Sequence, residues 1–325
     1  MHTYEQALQQ AKEFILEHDD YLIVSHVQPD GDAVSSTVTV GWLLSCLGKK
    51  YTMLNEGPIP KRMDFLWHAD EIMDMSQQPP ERKYNCIICV DCADYRRVGL
   101  TEQFFAEDAV ILNIDHHPTN DAYGKVNVIK PDAAATAEIL FDLLESFAVS
   151  WDVEVATSVY TGLLTDTGGF RYSNTSPKVM SIVSQLLTYG VDGPALSEKI
   201  LEEMTFPQMK MLTRALQTLT MSDDGKVAWV IVTPDDMNEC GAVNEDLEGI
   251  VNYPRNIRGV EVGILFKVIN EQAVKASMRS AGQVDVAALA QSFGGGGHVR
   301  AAGCKLEGKL EDIIETVVGR VKAEL

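Results

Sequence analysis

The sequence predicts an α/β protein of two domains, in which a largely parallel sheet flanked by helices is joined by a helical linker to a smaller α/β domain. Three observations favour this fold class. The chain has 325 residues, of which 46% are hydrophobic, so it can bury two separate cores. Short apolar runs alternate with amphipathic segments in the first half. In the second half, two tandem strand-like runs precede a helical stretch and a tract of glycines.

The apolar runs of the first half are predicted to be buried strands, and the amphipathic stretches between and after them are predicted to be helices. The predicted strands cover residues 21–25, 51–54, 86–91 and 110–115. The predicted helices cover residues 33–47, 136–147, 153–164 and 177–187. Such a pattern is typical of a parallel sheet that is covered on both faces.

The pattern changes around residues 189–193, and this change sets the predicted domain boundary. We expect a first domain at residues 1–190, a helical linker at residues 191–205 and a second domain at residues 206–325. Within the second domain the predicted elements are strands at residues 262–268 and 273–279 and a helix at residues 286–293.

Charge and hydropathy exclude several classes of protein. The net charge of −20 would repel a long polyanion, so a long duplex or a long single strand is not an expected substrate. No window approaches the roughly 20 apolar residues that span a bilayer, and the N-terminus lacks a basic region followed by an apolar one. We therefore expect a cytoplasmic protein without a membrane partner.

The six cysteines are too few for the dense framework of a secreted disulfide scaffold, so free thiols are expected. Cys86, Cys89 and Cys92 form a CxxCxxC run that could indicate an iron–sulfur site. The apolar residues between them instead favour a strand, which would point the thiols to alternate faces. These three are predicted to be buried strand cysteines.

A turn after the first predicted strand carries His26, Asp30 and Asp32. Ligands of open α/β sheets bind beyond the carboxyl ends of the strands. Pro29 and Gly31 allow a sharp turn there, so the imidazole and the two carboxylates can converge on one point. Convergence of this type suggests a metal. The alternative is a polar surface loop in which Asp32 only caps the next helix.

Further acids and histidines lie at the ends of later predicted strands and of a predicted helix. They are Asp91, Asp115, His116, His117 and Asp166. So many anionic groups around one crevice would repel each other unless cations lay between them. Mixed imidazole and carboxylate ligands without nearby thiolates favour manganese over a structural zinc. A pair of such ions would activate water for attack on a phosphoryl group.

A second cluster lies in GGGGHVRAAG, where the glycines at 294–297 precede His298 and Arg300. Glycine backbone amides with a protonated imidazole and a guanidinium can cradle a phosphate, although a flexible hinge has the same composition. Ser277 and Arg279 in KASMRS add a cationic strand end in the same predicted domain. Arg171 and Arg97 are further candidates for phosphate contacts, with exposed surface positions as the alternative.

Five motifs in a fixed order carry a resemblance to a known family. They are VSHVQPDGDAVSS, VDCAD, DHHPTN, TGLLTDTGGFRYSNTSP and FGGGGHVRAAG. Together they resemble the DHH phosphoesterase family with its DHH-associated C-terminal domain, over nearly the entire chain. The length, EDLEGIVNYPRNIRGVEVGILFK and KASMRS are similar to the branch of nanoRNases and 3′-phosphoadenosine 5′-phosphate (pAp) phosphatases. Ser35, Val299 and Arg300 depart from the family pattern without removing a metal ligand.

The resemblance implies two Mn²⁺ ions, with Mg²⁺ or Co²⁺ as substitutes, and assigns a ligand set to each. One ion would be held by His26, Asp30 and Asp91, and the other by Asp32, Asp91, His116 and Asp166.

The same resemblance implies that Asp91 bridges the two ions, that Asp115 orients neighbouring ligands and that His117 faces the substrate phosphate or leaving group. The far end of the substrate would be gripped in a cleft between the domains by residues of the second domain. These are Ser277, Arg279, Gly295, Gly296, Gly297, His298 and Arg300, with Arg171 as a further candidate.

The implied activity is hydrolysis of very short oligonucleotides to mononucleotides, and of pAp to AMP, by two-metal activation of a bridging water. Pyrophosphatases and polyphosphatases are similar in the first domain but lack the glycine–histidine motif of the second domain. The presence of His298 in GGGGH therefore counts against this alternative. A RecJ-type nuclease would need an added basic surface. A cyclic dinucleotide phosphodiesterase and a nucleotide-binding regulator without catalysis stay open, although no metal carboxylate is lost. The sequence leaves the oligomeric state open, a homodimer included.

Overall fold

The structure, a computed structural model, describes residues 3–325. The backbone packs as two compact units that divide after Glu203. They are called the N-terminal unit and the C-terminal unit below. Among the described residues, no helix combines the length and the apolar character that crossing a bilayer requires.

The N-terminal unit is built on one sheet. Its strands are β1 (Tyr21–Val24), β2 (Tyr51–Asn55), β3 (Met73–Asp74), β4 (Tyr84–Val90), β5 (Phe105–Asp115) and β6 (Val126–Ile129). They pair in the order β3-β2-β1-β4-β5-β6, and every pair is parallel. The carboxyl ends of β1, β4 and β5 therefore lie side by side at one edge of the sheet.

Helices accompany this sheet. They are α1 (Tyr4–Glu17), α2 (Gly31–Cys46), α3 (Thr136–Glu145), α4 (Val153–Asp166), α5 (Pro177–Thr188) and α6 (Gly193–Ser197), with a π-helical turn at Glu198–Glu202 and 3₁₀ segments at Lys61–Met63, Ala69–Glu71 and Tyr95–Phe104. Side-chain caps start several of them. Asp152 accepts hydrogen bonds from two backbone amides of α4, and Ser176 caps α5 ahead of a proline in its first turn.

Alternate residues of each strand face two different cores. Tyr21 and Ile23 of β1 pack into a large cluster with the helices, whereas Leu22 and Val24 pack into a smaller cluster with the 3₁₀ segment Tyr95–Phe104. Burial on both faces explains why these strands read as nearly continuous apolar runs.

The C-terminal unit is built on a second six-stranded sheet. Its strands are β7 (Thr220–Met221), β8 (Val227–Val232), β9 (Val262–Asn270), β10 (Ala273–Ser280), β11 (Gly296–His298) and β12 (Ala301–Glu307). Its helices are α7 (Phe206–Gln217), α8 (Pro234–Cys240), α9 (Asn252–Arg255), α10 (Val286–Ser292) and α11 (Leu310–Ala323), with a 3₁₀ segment at Asn244–Leu247. The strand order is β11-β12-β10-β9-β8-β7, antiparallel except for β8 with β9.

The two faces of the second sheet differ. On one face, Val274, Ala276 and Met278 of β10 pack into a core with residues of α10 and α11. On the other face, Leu265 of β9 packs into a core with residues of α7 and α8 and with Ile250 and Val251, which precede α9. Arg279 of β10, whose side chain points to that second face, stays half-buried.

The predicted α/β class is confirmed, with a parallel sheet flanked by helices in the N-terminal unit and a mixed sheet in the C-terminal unit. The predicted helix at residues 153–164 extends to Asp166, and the predicted strand at residues 110–115 begins earlier, at Phe105. Cys86 and Cys89 lie on β4 and face the two different cores, as predicted, and Cys92 is buried directly beyond it. All six cysteines are free thiols.

Candidate metal centre and substrate face

Three neighbouring strands deliver the polar side chains of the candidate metal centre. His26 follows β1 by two residues, Asp91 directly follows β4, and Asp115 ends β5. Because β1, β4 and β5 are adjacent and parallel, these side chains meet at one edge of the sheet. All three are buried, with 5%, 2% and 0% exposure.

The turn between β1 and α2 holds two acids in different roles. Asp30 is the N-cap of α2 and accepts a hydrogen bond from the Ala33 amide at 3.2 Å. The alternative in which Asp32 caps this helix is therefore wrong. The carboxylate of Asp32 is fully buried and accepts hydrogen bonds from the amides of Thr136 (2.6 Å) and Ala137 (3.1 Å) at the start of α3.

The first cluster consists of His26, Asp30 and Asp91, which each offer one ligand atom within 4.8 Å of the others. The His26 Nε2 atom lies 3.5 Å from Asp91 and 3.9 Å from Asp30. Its Nδ1 atom lies 2.8 Å from the carbonyl oxygen of Val27, which fixes the ring orientation.

The second cluster consists of Asp32, Asp91 and His116, under the same 4.8 Å limit. The His116 Nε2 atom lies 3.6 Å from Asp91 and 3.2 Å from Asp166, the last residue of α4. Its Nδ1 atom lies 3.3 Å from the carbonyl oxygen of Ala133. Asp91 belongs to both clusters.

Burial and mutual repulsion perturb the acids of these clusters. Burial, followed by the charges of Asp91 and Asp166, raises the pKa of Asp32 well above its ordinary value. Burial also raises the pKa of Asp166 to about 6. Burial alone would raise the pKa of Asp91 too, but the three surrounding histidines hold it below the ordinary range.

The histidines are perturbed in the opposite sense to burial. Burial disfavours the charged ring of His26, but the contacts with Asp91 and Asp30 outweigh this effect and raise its pKa. The pKa of His116 is raised well above its ordinary value, because Asp166 and Asp91 outweigh its burial. The surrounding carboxylates thus favour the charged form of both imidazoles, and a bound divalent cation can supply that positive charge instead.

The donor set fits divalent metal ions. Histidines that bind metals usually donate the second ring N–H to a carbonyl or carboxylate, which leaves the other nitrogen for the ion. His26 and His116 both place Nδ1 against a backbone carbonyl and Nε2 toward carboxylates. Carboxylate and imidazole donors without thiolate suit Mn²⁺, Mg²⁺ and related ions.

His117 is positioned differently from His116. Its Nδ1 atom lies 2.7 Å from Asp115, whose other carboxylate oxygen accepts a hydrogen bond from Asn120 at 2.6 Å. Asp91 is 3.7 Å from the same ring nitrogen. Asp115 thus fixes the orientation of the His117 ring beside the clusters.

Two residues that support the centre, Thr136 and Asn174, were not predicted from the sequence. The Thr136 hydroxyl donates to Asp91 at 3.0 Å. Asn174 donates to the carbonyl oxygens of Ala134 and Asp166, both at 3.1 Å. The available signals were the helix start at Thr136 and the place of Asn174 inside the fourth motif, but neither indicates a partner.

In the C-terminal unit, four of the predicted substrate residues lie on one face of the sheet, because directly opposite residues of antiparallel strands share a face. Two adjacent cross-strand rows contain them: His298–Ala301–Arg279, here called the Arg279 row, and Gly296–Gly303–Ser277, here called the Ser277 row. We call this the substrate face.

The glycines of the tract serve backbone packing. A Cβ atom on Gly295 would lie 2.2 Å from the carbonyl oxygen of Gly303. One on Gly297, whose φ is +140°, would lie 2.5 Å from that of Ala301. Gly296 and Gly297 form part of β11, so the flexible-hinge alternative is wrong for them.

Arg300 and Arg171 are not in these rows. The Arg300 guanidinium lies against Gly282, in a loop that the buried Glu261 carboxylate holds by accepting amide hydrogen bonds from residues 282–284. Arg171, in the N-terminal unit, is exposed and donates through Nε to the Gly168 carbonyl oxygen at 2.6 Å.

Comparison with known proteins finds two family matches. The model of the DHH family, N-terminal domain, matches residues 20–163, and the model of the DHHA1 domain matches residues 226–323. These matches confirm the predicted resemblance.

Several relatives match over most of the chain. The bifunctional oligoribonuclease and PAP phosphatase NrnA of Thermus thermophilus is 35% identical over 305 residues, which cover 93% of this chain and 89% of that protein. The protein of the same name from Bacillus subtilis is 26% identical, with 89% and 90% covered. A crystal structure of an exopolyphosphatase-related protein from Bacteroides fragilis has a TM-score of 0.89 at 24% identity, covers 98% and 97% of the two chains, and supports the fold alone.

Proposed function

Since this chain belongs to the DHH phosphoesterase family, we propose that it hydrolyses very short oligonucleotides to mononucleotides and pAp to AMP. The observation that supports this proposal most directly is that the Asp91 carboxylate belongs to both histidine–carboxylate clusters. The relatives from Thermus thermophilus and Bacillus subtilis, which are named for both activities, support the choice of substrates.

We assign two Mn²⁺ ions to the clusters, with Mg²⁺ or Co²⁺ as substitutes. His26, Asp30 and Asp91 would hold one ion, and Asp32, Asp91, His116 and Asp166 the other. When bound, such ions neutralise charge on a phosphoryl group and lower the pKa of water. The hydrogen bonds from Thr136 to Asp32 and Asp91 would keep these two carboxylates aligned.

His117 would act on the leaving group. Its contact with Asp115 places a proton on Nδ1 and keeps the ring in one orientation. Asn120 binds the second oxygen of Asp115, so this carboxylate is held from two sides. The Nε2 atom would then contact the substrate phosphate or protonate the departing oxygen.

The substrate face would bind the far end of the substrate. Arg279 offers a planar guanidinium that suits phosphate, and Ser277 offers a hydroxyl in the neighbouring row. His298 lies in the same row as Arg279, and Gly295 to Gly297 let β11 approach β12 closely. Arg300 and Arg171 would act from outside the two rows.

The test is turnover of pAp, an RNA dinucleotide, a long RNA and pyrophosphate, measured side by side with Mn²⁺ and with chelator. We expect Mn²⁺-dependent cleavage of pAp and the dinucleotide only. Turnover of pyrophosphate would favour a pyrophosphatase, turnover of long RNA would favour a processive nuclease, and binding without turnover would favour a regulator.

A further inference from the structure

The substrate face continues past the Ser277 row into a row of three lysines. Lys275 of β10 lies opposite Lys305 of β12 on one side and opposite Lys267 of β9 on the other. Lys275 and Lys305 are exposed and Lys267 is half-buried. Because side chains alternate along a strand, these three amines project from the same face as Ser277 and Arg279. We call them the lysine row.

This row is electrostatically unfavourable by itself, because like charges directly opposite each other destabilise a sheet. Burial, followed by the charge of Lys275, lowers the pKa of Lys267. The Lys267 amine donates to the neutral side chain of Asn244. Within residues 3–325, none of the three amines has a carboxylate oxygen within 4.0 Å. A bound anion would remove the repulsion.

The spacing of the row limits what that anion can be. Lys275 and Arg279 are four residues apart on β10, or about 13 Å at roughly 3.3 Å per residue. This distance is longer than the separation of the two phosphates on a single nucleoside. In the Ser277 row between them, β11 and β12 carry glycines, β10 carries Ser277 and β9 carries Leu265, which is buried. No exposed bulky side chain therefore blocks a chain that crosses this row. Of the substrates proposed above, only an oligonucleotide is long enough to reach both rows.

We propose that the lysine row is a second phosphate subsite, which binds a backbone phosphate of an oligonucleotide whose end lies at the Arg279 row. The inference rests on the proposed function and adds a length dependence to it. A trinucleotide or longer chain reaches the lysine row, whereas pAp and a dinucleotide do not.

The kinetic test uses the double variant Lys275→Ala/Lys305→Ala on pAp and on RNAs of two to five nucleotides. We expect KM for the trinucleotide and longer RNAs to rise about tenfold, as for the loss of a charged hydrogen bond, with pAp and the dinucleotide unchanged within about twofold. The matched control is Lys226→Ala/Lys322→Ala, which removes the same charge from exposed positions elsewhere in the unit. An equal rise for every substrate, no rise, or the same rise in the control would overturn the subsite.

A binding test separates this inference from the proposed function. Anisotropy of a labelled RNA tetranucleotide, measured with chelator so that no turnover occurs, gives the salt dependence of affinity. We expect the slope against log salt to fall by roughly 0.7 per lost phosphate contact in the double variant and to stay unchanged in the control. An unchanged slope, or no binding by the wild-type chain, would overturn the subsite. Absence of wild-type turnover with normal binding would instead overturn the proposed function alone.

Discussion

Asp91 occupies an unusual backbone position for its role. It lies directly after β4 with φ at +54°, a left-handed conformation that costs energy for residues other than glycine. Its carboxylate is 2% exposed and lies within reach of His26, His116 and His117. This turn directs the Asp91 side chain between the two clusters. The side chain of a regular strand residue would instead point into one of the two cores. Strain of this kind is typical of functional sites.

Replacing Asp91 tests the shared carboxylate. Asn tolerates the left-handed backbone, so Asp91→Asn should fold. Loss of a supporting residue alone typically costs about 10–100-fold in metal affinity or activity, so loss of a ligand to both ions should lower kcat by more than about a hundredfold. The control is Asp94→Asn, three residues further on, whose carboxylate accepts hydrogen bonds from the amide and the guanidinium of Arg96. Wild-type turnover in Asp91→Asn would contradict the two-metal assignment.

Arg279 should affect binding more than chemistry. Arg279→Ala should raise KM for pAp and dinucleotides by about tenfold, as expected for one charged hydrogen bond, and leave a small chromogenic phosphodiester nearly unaffected. Arg320→Ala removes the same group from an exposed position on α11 and is the matched control. Equal losses on all substrates would place Arg279 outside the grip on the distal phosphate.

At the scale of elements, the metal centre depends on close packing of α2, α3 and α4. A Cβ atom on Gly162 of α4 would lie 2.6 Å from both the Asp32 carboxylate and the Ala137 Cβ atom. A Cβ atom on Gly31, at the start of α2, would lie 2.3 Å from the Thr165 side chain. These two glycines let the three helices approach closely enough to bury Asp32 against the amides of α3.

Gly162→Ala should therefore separate these helices. Overpacking typically costs about 1–3 kcal/mol, which outweighs the gain of up to about 1 kcal/mol that alanine brings to a helix. We expect a lower free energy of unfolding and weaker metal affinity. Gly319→Ala, on α11 with open space around its Cβ position, should instead stabilise the protein slightly. Denaturant unfolding of both variants checks this; equal stabilisation would mean that α4 can shift at no cost.

The sequence predicts those parts of the fold that have strong local signals. The apolar runs of β1, β4 and β5 and the polar residues at their ends are visible in one dimension, and they place His26, Asp91 and Asp115 at one edge. β12 was not predicted, since its run of small and charged residues has no such signal. Without β12 the register is unknown, so the row of Lys275 and Lys305 cannot be read from the chain.

For the whole molecule, the net charge of −20 conceals an uneven distribution. The lysine row and Arg279 place four cations on one face of the second sheet, while the buried carboxylates gather at one edge of the first. A short anionic chain can contact the positive charge on this face of the second sheet. A long chain would also meet the negative charge of the rest of the protein. This charge distribution supports the proposal of short substrates.

The stability of the metal-free protein should depend on pH in a direction set by the metal centre. The pKa of Asp166 is raised from 3.8 to about 6, so its contribution to stability is complete below pH 3.8 and is lost as pH rises through about 6. The pKa values of His26 and His116 are raised above 6.5, so their contribution is lost as pH rises beyond that value. The pKa of Asp91 is lowered, so the stability that its ionised carboxylate contributes is present above the ordinary aspartate pKa and is lost only as pH falls below it.

With chelator present, the N-terminal unit should therefore melt at a lower temperature at pH 8 than at pH 6. The direction follows from the raised pKa values of His26 and His116, whose charged rings are favoured by the folded state and are lost as pH rises above 6.5. Because metal ions bind the deprotonated ligands, adding Mn²⁺ should raise Tm more at pH 8 than at pH 6. Thermal melts at both pH values, with and without Mn²⁺, measure this directly. Asp166→Asn should flatten the dependence between pH 4 and 6, and a chelated protein that is more stable at pH 8 would show that carboxylate repulsion does not govern the empty centre.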